Sequence, residues 1–439
     1  MIDKILNIVR KLVPKRIFRF FQPAYHFILA LTGNVVYRFP GRKMICIGVT
    51  GTNGKSTTAE LINSILKEAG YKTGMLSTVA FEIGGTRSDN KTSRTTLGRW
   101  QTPKMLRRMV KAGCDYAIIE VASEGIVQFR TWGIPFDVAV FTNLSPEHLN
   151  THKTMANYRN AKGKLFANLS LSKKKKFNKK KVPKVNIFNA EDKESGYFGS
   201  FPADVRLGYG LKKGDICAKN IKEKSGLEFV VSHKGKHYLV KSNLVATFNV
   251  YNILAAWAVG ISQNIEPNVI AVGIANLKSV KGRMEKVAEK NGVQYFIDYA
   301  MTADSYEMLF SEMRKLAKGK LIAVFGAAGD RDRSKRPVIG EVAAKMTDYI
   351  ILTDDEPYSE DPKAIISEIE AGIKKTKFSH YEIIHDRKKA FEKATKIAKS
   401  GDVVIVPGMG HESFRNVGGN KRIPWNEAEL IKQIVNKSK

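Results

Sequence analysis

Apolar positions along this chain fall into two regimes. Near the N-terminus, Ile5, Leu6, Ile8, Val9, Leu12 and Val13 recur with a near-helical period that is interrupted at Pro14. Ile17, Phe18, Phe20 and Phe21 continue the apolar side, and after Pro23 a second apolar stretch covers residues 25–36. From residue 44 the pattern changes to short continuous apolar runs separated by helical segments. A strand leads into a helix that starts at Lys55 and stops near Gly70, and further strands are expected over 116–121, 138–143 and 185–189. A second series is expected over 294–299, 321–325, 349–353, 381–385 and 403–406. Strands without polar alternation are buried on both faces, so this order predicts an α/β protein with helix-covered parallel sheets. A boundary near 276–281 divides the pattern into a basic arm (1–43), a first domain (44–278) and a second domain (279–439).

Composition narrows the partners. The 439 residues carry a formal charge of +31, and only three cysteines, Cys46, Cys114 and Cys217, lie scattered among them. That spacing argues against a disulfide framework or a zinc site and fits a reducing cytoplasm. Lysines 173–176, 179–181 and 184 form a basic run that reads as a solvated surface loop. It lacks the interleaved aromatics that stack bases, so no nucleic-acid partner is expected. Residues 1–43 hold nine Lys or Arg against one Asp, a net of +8. The uncharged window at 20–37 contains Gln22, Pro23, His26 and Asn34, which makes it a poor membrane span, and no small-residue cleavage signature follows. Two readings of the arm stay open: peripheral contact with the inner membrane face, or packing of its apolar side on the protein body.

The sharpest chemical signal is Gly-Val-Thr-Gly-Thr-Asn-Gly-Lys-Ser-Thr at 48–57, at the junction of a strand and a helix. Gly51 and Gly54 allow backbone N–H groups, including those of Thr52 and Asn53, to converge on phosphate oxygens. The helix N-terminus adds positive potential there. Lys55 can reach terminal phosphates, and a hydroxyl from Ser56 or Thr57 can complete a Mg²⁺ shell. Five residues separate Gly48 from Gly54, one more than the general P-loop pattern has.

Polar motifs also stand where the expected strands end, the ligand-binding edge of open parallel sheets. They are Glu120, Asn143 with Ser-Pro-Glu-His-Leu-Asn, Asp298-Tyr, Gly326-Ala-Ala-Gly-Asp-Arg, Asp354-Asp-Glu-Pro and Gly408-Met-Gly-His-Glu. Together with the Gly-Thr-Asn-Gly-Lys-Ser core, this series resembles the MurE branch of the Mur ligase family from about residue 44 to 425. The resemblance implies a P-loop central domain and a C-terminal Rossmann-like α/β domain behind a short basic arm. It also implies an ATP-dependent amide ligase, which joins a free amino acid to a muramoyl-peptide precursor through an acyl phosphate.

Residue roles follow from the resemblance. Lys55 holds the β- and γ-phosphates, and Ser56 binds one Mg²⁺. Glu120 and His148 bind a second, joined by Lys162 as a carbamate made from CO₂. Asn249, Asn252, Arg283 and Asp298 match nucleotide contacts, and Thr95, Thr96, Gln128 and Arg130 match acceptor contacts. Arg331, Asp355, Glu356, Tyr358, Gly408 and Glu412 fall where the incoming amino acid is selected. Departures are as informative. Ala122-Ser123-Glu124 stands for Ser-Ser-His, Asp298-Tyr-Ala-Met-Thr-Ala303 for Asp-Tyr-Ala-His-Thr-Pro, and Met409 for a lysine. Asp355-Glu-Pro-Tyr358 stands for Asp-Asn-Pro-Arg, whose arginine pairs with the distal carboxylate of diaminopimelate. Glu356 suits an amine-ended side chain, so diaminopimelate and lysine both stay open. The 43-residue arm stands where a MurE has a domain for uridine diphosphate, so a UDP-linked and a lipid-linked acceptor both stay open. Rival readings are a MurT-like ligase acting on lipid-linked precursor and a catalytically reduced nucleotide-binding protein.

Overall fold

The computed structural model describes residues 15–92, 94–147, 149–177, 179–223, 226–419 and 421–438. The first 14 residues of the arm and His148 lie outside the described residues. By internal contacts the chain forms two compact units. The first runs to Lys222 and includes Glu228–Lys241 and Phe248–Asn276; the second takes Glu223–Leu227, Ser242–Thr247 and Leu277–Lys439.

The strand Ile45–Thr50 is buried along its whole length and sits inside an eleven-stranded sheet, between Tyr116–Glu120 and Val138–Phe141. Parallel pairing runs from Thr73–Leu76 through these strands to Val185–Asn189, Val205–Gly210 and Ile216–Glu223. The apolar runs of the sequence are these central strands. Their ends, at Thr50, Glu120 and Phe141, lie side by side at one sheet edge, as parallel register requires. Helix Lys55–Glu68 covers one face and is itself covered by Phe248–Ser262 and Pro267–Asn276. Ser64 Oγ anchors that layer on Gly273 O at 2.6 Å. On the opposite face, Phe141 stacks on Phe198 at 3.7 Å among buried Phe136, Leu165 and Phe166.

Parallel pairing is not the whole sheet. Ala80–Ile83 and Thr86–Asp89 add antiparallel strands at one edge. They carry polar and charged residues such as Glu82, Arg87 and Asp89, so apolar-run logic passes over them. The second unit has a six-stranded sheet, parallel over Val293–Asp298, Val403–Pro407, Leu321–Phe325, Tyr349–Leu352 and Tyr381–Ile383. Glu285–Lys290 joins it as an antiparallel hairpin partner.

Most of the described part of the arm is one helix, Lys15–Val36, which runs through Pro23 and is followed by a short 3-10 turn at Pro40–Lys43. Its inner side packs on the first unit through Ala30, Gly33 and Asn34, all buried, and Asn34 Nδ2 donates to Trp132 O at 2.8 Å. The outer side stays apolar and open: Phe21 is 59% exposed, Ile28 56% and Val35 55%. Packing and exposure therefore divide one helix between them. Among the described residues no helix is long and apolar enough to cross a membrane.

The basic run is not uniformly solvated. Lys175 and Lys184 keep only 8% and 4% side-chain exposure, because both close on the buried carboxylate of Asp137 at 2.6 and 3.1 Å. Lys175 Nζ also reaches the Gly41 and Met44 carbonyls, and Lys184 Nζ the Phe136 carbonyl. Two buried ammoniums are thus tied to the start of the central strand, where Cys46 N donates to the same carboxylate at 2.9 Å. Asp137→Ala should cost about 3–5 kcal/mol, since it leaves both cations buried without their anion. Urea denaturation reads this directly, and a loss under about 1 kcal/mol would contradict it.

Candidate functional site

The sharp turn after the central strand places the first site residues. Gly51 and Gly54 hold φ of +154° and +82°. A Cβ on Gly51 would stand 1.8 Å from Thr142 Oγ1, and one on Gly54 would stand 2.2 Å from Asn252 Oδ1. A side chain at either place would be strained by the backbone angle and would crowd these groups. Asn252 is fixed in turn by Asn249, its Nδ2 donating to Asn249 Oδ1 at 2.9 Å. The two asparagines therefore bear on the loop from the covering helix.

One expectation changes here. The N–H groups of Thr52 and Asn53 do not converge on an open cradle; they donate to Asn143 O and Oδ1 at 2.8 and 2.9 Å. Asn143 is the strand-end residue that fixes the loop. The first intrahelical bond runs from Thr58 N to Gly54 O at 2.9 Å. The N–H groups of Gly54, Lys55, Ser56 and Thr57 thus form the N-terminal turn, where backbone donors and the helix dipole favour an anion.

Two ammoniums meet at this turn. Lys55 Nζ donates to Gly51 O and Thr52 O at 3.0 and 2.7 Å, and Lys162 Nζ donates to the same Gly51 carbonyl at 2.7 Å. Lys162 lies over the Tyr158 ring at 4.5 Å and is buried. Burial holds its proton affinity well below that of a free lysine; Lys55 depresses it further and Glu147 opposes. Both effects favour the neutral amine.

Across the turn, Ser56 Oγ donates to Glu120 Oε1 at 2.9 Å, and the Thr78 N–H donates to Oε2. Glu120 is buried at the end of its strand. A hydroxyl and a carboxylate beside a helix N-terminus are hard oxygen donors suited to Mg²⁺. Glu147 approaches from the loop that also carries His148, which lies outside the described residues. Among the described residues no group of three or more His, Cys, Asp or Glu gathers as a ready metal cage.

The acceptor candidates are continuous with this cluster. Thr78 Oγ1 donates to Thr95 Oγ1 at 3.0 Å. Thr96 Oγ1 donates to Glu120 O at 3.1 Å and accepts from Ala122 N at 2.9 Å. Arg130 Nη1 reaches Thr96 O at 2.9 Å, while its Nε and Nη2 hold Gln128 Oε1 at 3.1 and 2.6 Å. All four sequence-derived acceptor residues are thus brought together. Sequence reasoning missed Arg94 and Arg99, whose one signal was that they flank the Thr95-Thr96 pair. At the altered Ala122-Ser123-Glu124 segment, Ser123 Oγ pairs with His152 Nε2 at 2.9 Å.

In the second unit the remaining candidates collect at the ends of its parallel strands. The Arg283 guanidinium lies over the Tyr299 ring at 4.7 Å, and Asp298 Oδ2 accepts from Met284 N at 2.7 Å. Burial raises the Asp298 proton affinity and Arg283 opposes it. Gly408 N donates to Asp298 O at 2.9 Å, and Tyr299 OH reaches Glu412 Oε1 at 3.4 Å. Glu356 accepts from Asn416 N at 2.8 Å and Tyr358 OH at 3.0 Å, while Arg331 lies 5.4 Å over the Tyr358 ring. Arg415, absent from the sequence-derived set, pins the motif from behind by donating to Asp355 O and Asp354 O at 2.9 and 3.0 Å.

Comparison with known proteins agrees with this geometry. The Mur ligase middle domain matches residues 49–260, and the Mur ligase glutamate ligase domain matches 282–410. A Clostridium acetobutylicum protein named UDP-N-acetylmuramoyl-L-alanyl-D-glutamate–2,6-diaminopimelate ligase 1 is 36% identical over 93% of this chain and 81% of its own length. The Aquifex aeolicus ligase of the same reaction name is 38% identical over 90% of this chain and 78% of its own. A solved structure of such a ligase superposes with a TM-score of 0.61 at 28% identity, covering 90% of this chain and 78% of that one. MurF from Thermotoga maritima, solved with ADP, shares the fold at a TM-score of 0.69 and 19% identity, over 94% and 83% of the two chains. A P-loop that faces a buried strand-end glutamate, within two matched domains in family order, makes this chain a member of the Mur ligase family, with MurE-type ligases among its relatives.

Proposed function

We propose that the chain is an ATP-dependent amide ligase of peptidoglycan precursor synthesis. It adds a diamino acid to a muramoyl-L-Ala-D-Glu acceptor and releases ADP and phosphate. The supporting observation is the hydrogen-bonded run from Ser56 through Glu120 to Thr78, Thr95 and Thr96 and on to Arg130, which joins a triphosphate cradle to an anion-binding cluster. In this reading 44–278 is the P-loop domain and 279–439 the second domain.

Each residue has a physical task. The N-terminal turn at Gly54–Thr57 and the Lys55 ammonium hold the phosphates, while Arg130, Gln128, Thr95 and Thr96 hold the acceptor. A carboxylate oxygen of the acceptor attacks the γ-phosphorus and ADP departs. The amine of the incoming amino acid then attacks the acyl carbon, phosphate leaves and the amine loses a proton. Such a transfer depends mostly on positioning and on charge stabilisation. Ser56 and Glu120, with His148 and carbamylated Lys162, would hold Mg²⁺, which when bound neutralises phosphate charge. The neutral Lys162 amine is the form that attacks CO₂; it loses a proton and becomes an anion. Asn249, Asn252, Arg283 and Asp298 are assigned to the nucleotide, and Asp355, Gly408, Glu412 and Arg331 to the amino acid. The relatives' names favour diaminopimelate. A second reading, lysine, is favoured by the fixed Glu356 carboxylate, which would attract a side-chain ammonium.

The exposed stripe Phe21, Ile28 and Val35, in an arm of net charge +8, further supports a cytoplasmic enzyme that touches the anionic inner membrane face.

Three outcomes check this reading. With Mg²⁺, ATP, acceptor and diaminopimelate or lysine, ADP and a lengthened peptide should form together, and Lys55→Ala should lower kcat by about 10²–10³-fold. Comparable turnover by that variant would sink the assignment. In CO₂-free buffer, wild type should gain stability over Lys162→Met as pH rises toward the 10.5 of a free lysine. The sign follows because in that window the unfolded chain binds a proton that the folded chain does not. A pH-independent difference in urea midpoint would show Lys162 charged in the fold. Finally, the protein should sediment with anionic vesicles at low salt and leave them in high salt; staying in the supernatant at low salt would remove the membrane contact.

A further inference from the structure

Beside the Thr95-Thr96 pair the first unit gathers a group of arginines that includes Arg130. Arg99 donates from Nε to Gln128 O at 2.8 Å, while Arg130 holds the Gln128 side chain through Nε and Nη2. One glutamine therefore sets two guanidiniums next to each other, one on its backbone and one on its amide. Arg94 is the third cation of the group. Burial pushes Arg99 down to about 10, with Arg130 and, more weakly, Arg94 adding to the shift and Tyr25 opposing it; burial and Arg94 also lower Arg130, and Glu124 opposes. Three like charges in one group repel, and a further anion beside Arg99 would relieve that repulsion.

The surroundings are built rather than loose. Helix Lys15–Val36 and the residue after it wall the group: a Cβ at Gly33 would stand 2.7 Å from Arg99 O, and Tyr37 meets Trp100 edge-on at 6.2 Å. Asn34 ties the same helix to Trp132 O, just beyond Arg130. Among the described residues Arg99 uses one of its five N–H donors, on Gln128, which leaves both terminal nitrogens for a ligand.

We propose that Arg99, assisted by Arg94, is a second oxyanion site for the acceptor, distinct from the one that Arg130 offers. Resting on the ligase reading, this makes the acceptor a molecule held at two anionic points. One is near the Thr95-Thr96 pair, and the other lies farther toward the N-terminal helix. The second anion is a phosphate of the acceptor's diphosphate or a further carboxylate of its peptide; guanidinium pairs suit either. Arg99 is a positioning and specificity residue here, with no part in bond making.

Steady-state kinetics of the full chain test this with two acceptors: UDP-N-acetylmuramoyl-L-Ala-D-Glu, and the same muramoyl dipeptide stripped of its nucleoside diphosphate. Arg99→Ala should raise the acceptor KM at least about tenfold, with kcat and the ATP KM within about twofold, and Arg99→Lys should recover part of the loss. Arg94→Ala, at an exposed position, should raise the acceptor KM about threefold without lowering the melting temperature. A loss confined to the diphosphate-bearing acceptor assigns the oxyanion to phosphate, and an equal loss with both assigns it to a carboxylate. Unchanged acceptor KM in Arg99→Ala and Arg94→Ala, in protein whose wild type turns over, overturns the site. A wild type that never forms ADP overturns the ligase reading instead.

Discussion

A carboxylate buried at the end of a central strand organises the first unit. Glu120 has one oxygen on the Ser56 hydroxyl and the other on the Thr78 N–H, and its own carbonyl accepts from Thr96. An anion in that position is costly unless every lone pair is met by a donor or a cation. Meeting that demand draws the phosphate-cradle helix, the strand-end turn at 77–78 and the Thr95-Thr96 segment to one point. The parallel sheet supplies the rest. Adjacent strands in register end together, so the groups they carry converge without long loops.

The same unit handles buried cations in two opposite ways. Lys175 and Lys184 are satisfied by Asp137 and by main-chain carbonyls, so they act as structural clamps on the central strand. Lys162 is buried against the Gly51 carbonyl and the Tyr158 ring face, with Lys55 repelling its charge and Glu147 opposing that effect. The first arrangement stabilises charge; the second disfavours it. A buried amine biased toward its neutral form is what the carbamate proposed for Lys162 requires.

Much of the fold was legible because its central strands are buried on both faces and so read as plain apolar runs. The strand-end motifs were legible for the same reason, since each followed such a run. Strands Ala80–Ile83 and Thr86–Asp89 were not, because their residues face charged partners: Glu60 takes Arg87 and Glu82 takes Lys67. Pro23 separates two apolar stretches in the sequence, yet helix Lys15–Val36 runs through it and packs farther along through Ala30, Gly33 and Asn34. Lysine runs look alike in sequence whether solvated or clamped; only tertiary pairing with Asp137, 38 residues before Lys175, separates them. Arg99 was invisible for a related reason. Its meaning depends on Gln128, 29 positions away.

The most direct test of the organising role of Glu120 is its replacement by the isosteric glutamine. Glu120→Gln keeps size and most hydrogen-bonding capacity but removes the negative charge that a metal-bound triphosphate requires. The account predicts a folded protein with a melting temperature within a few degrees of wild type and ADP formation slower by about 10²-fold or more. Wild-type turnover by this variant, under saturating ATP, Mg²⁺ and acceptor, would contradict it.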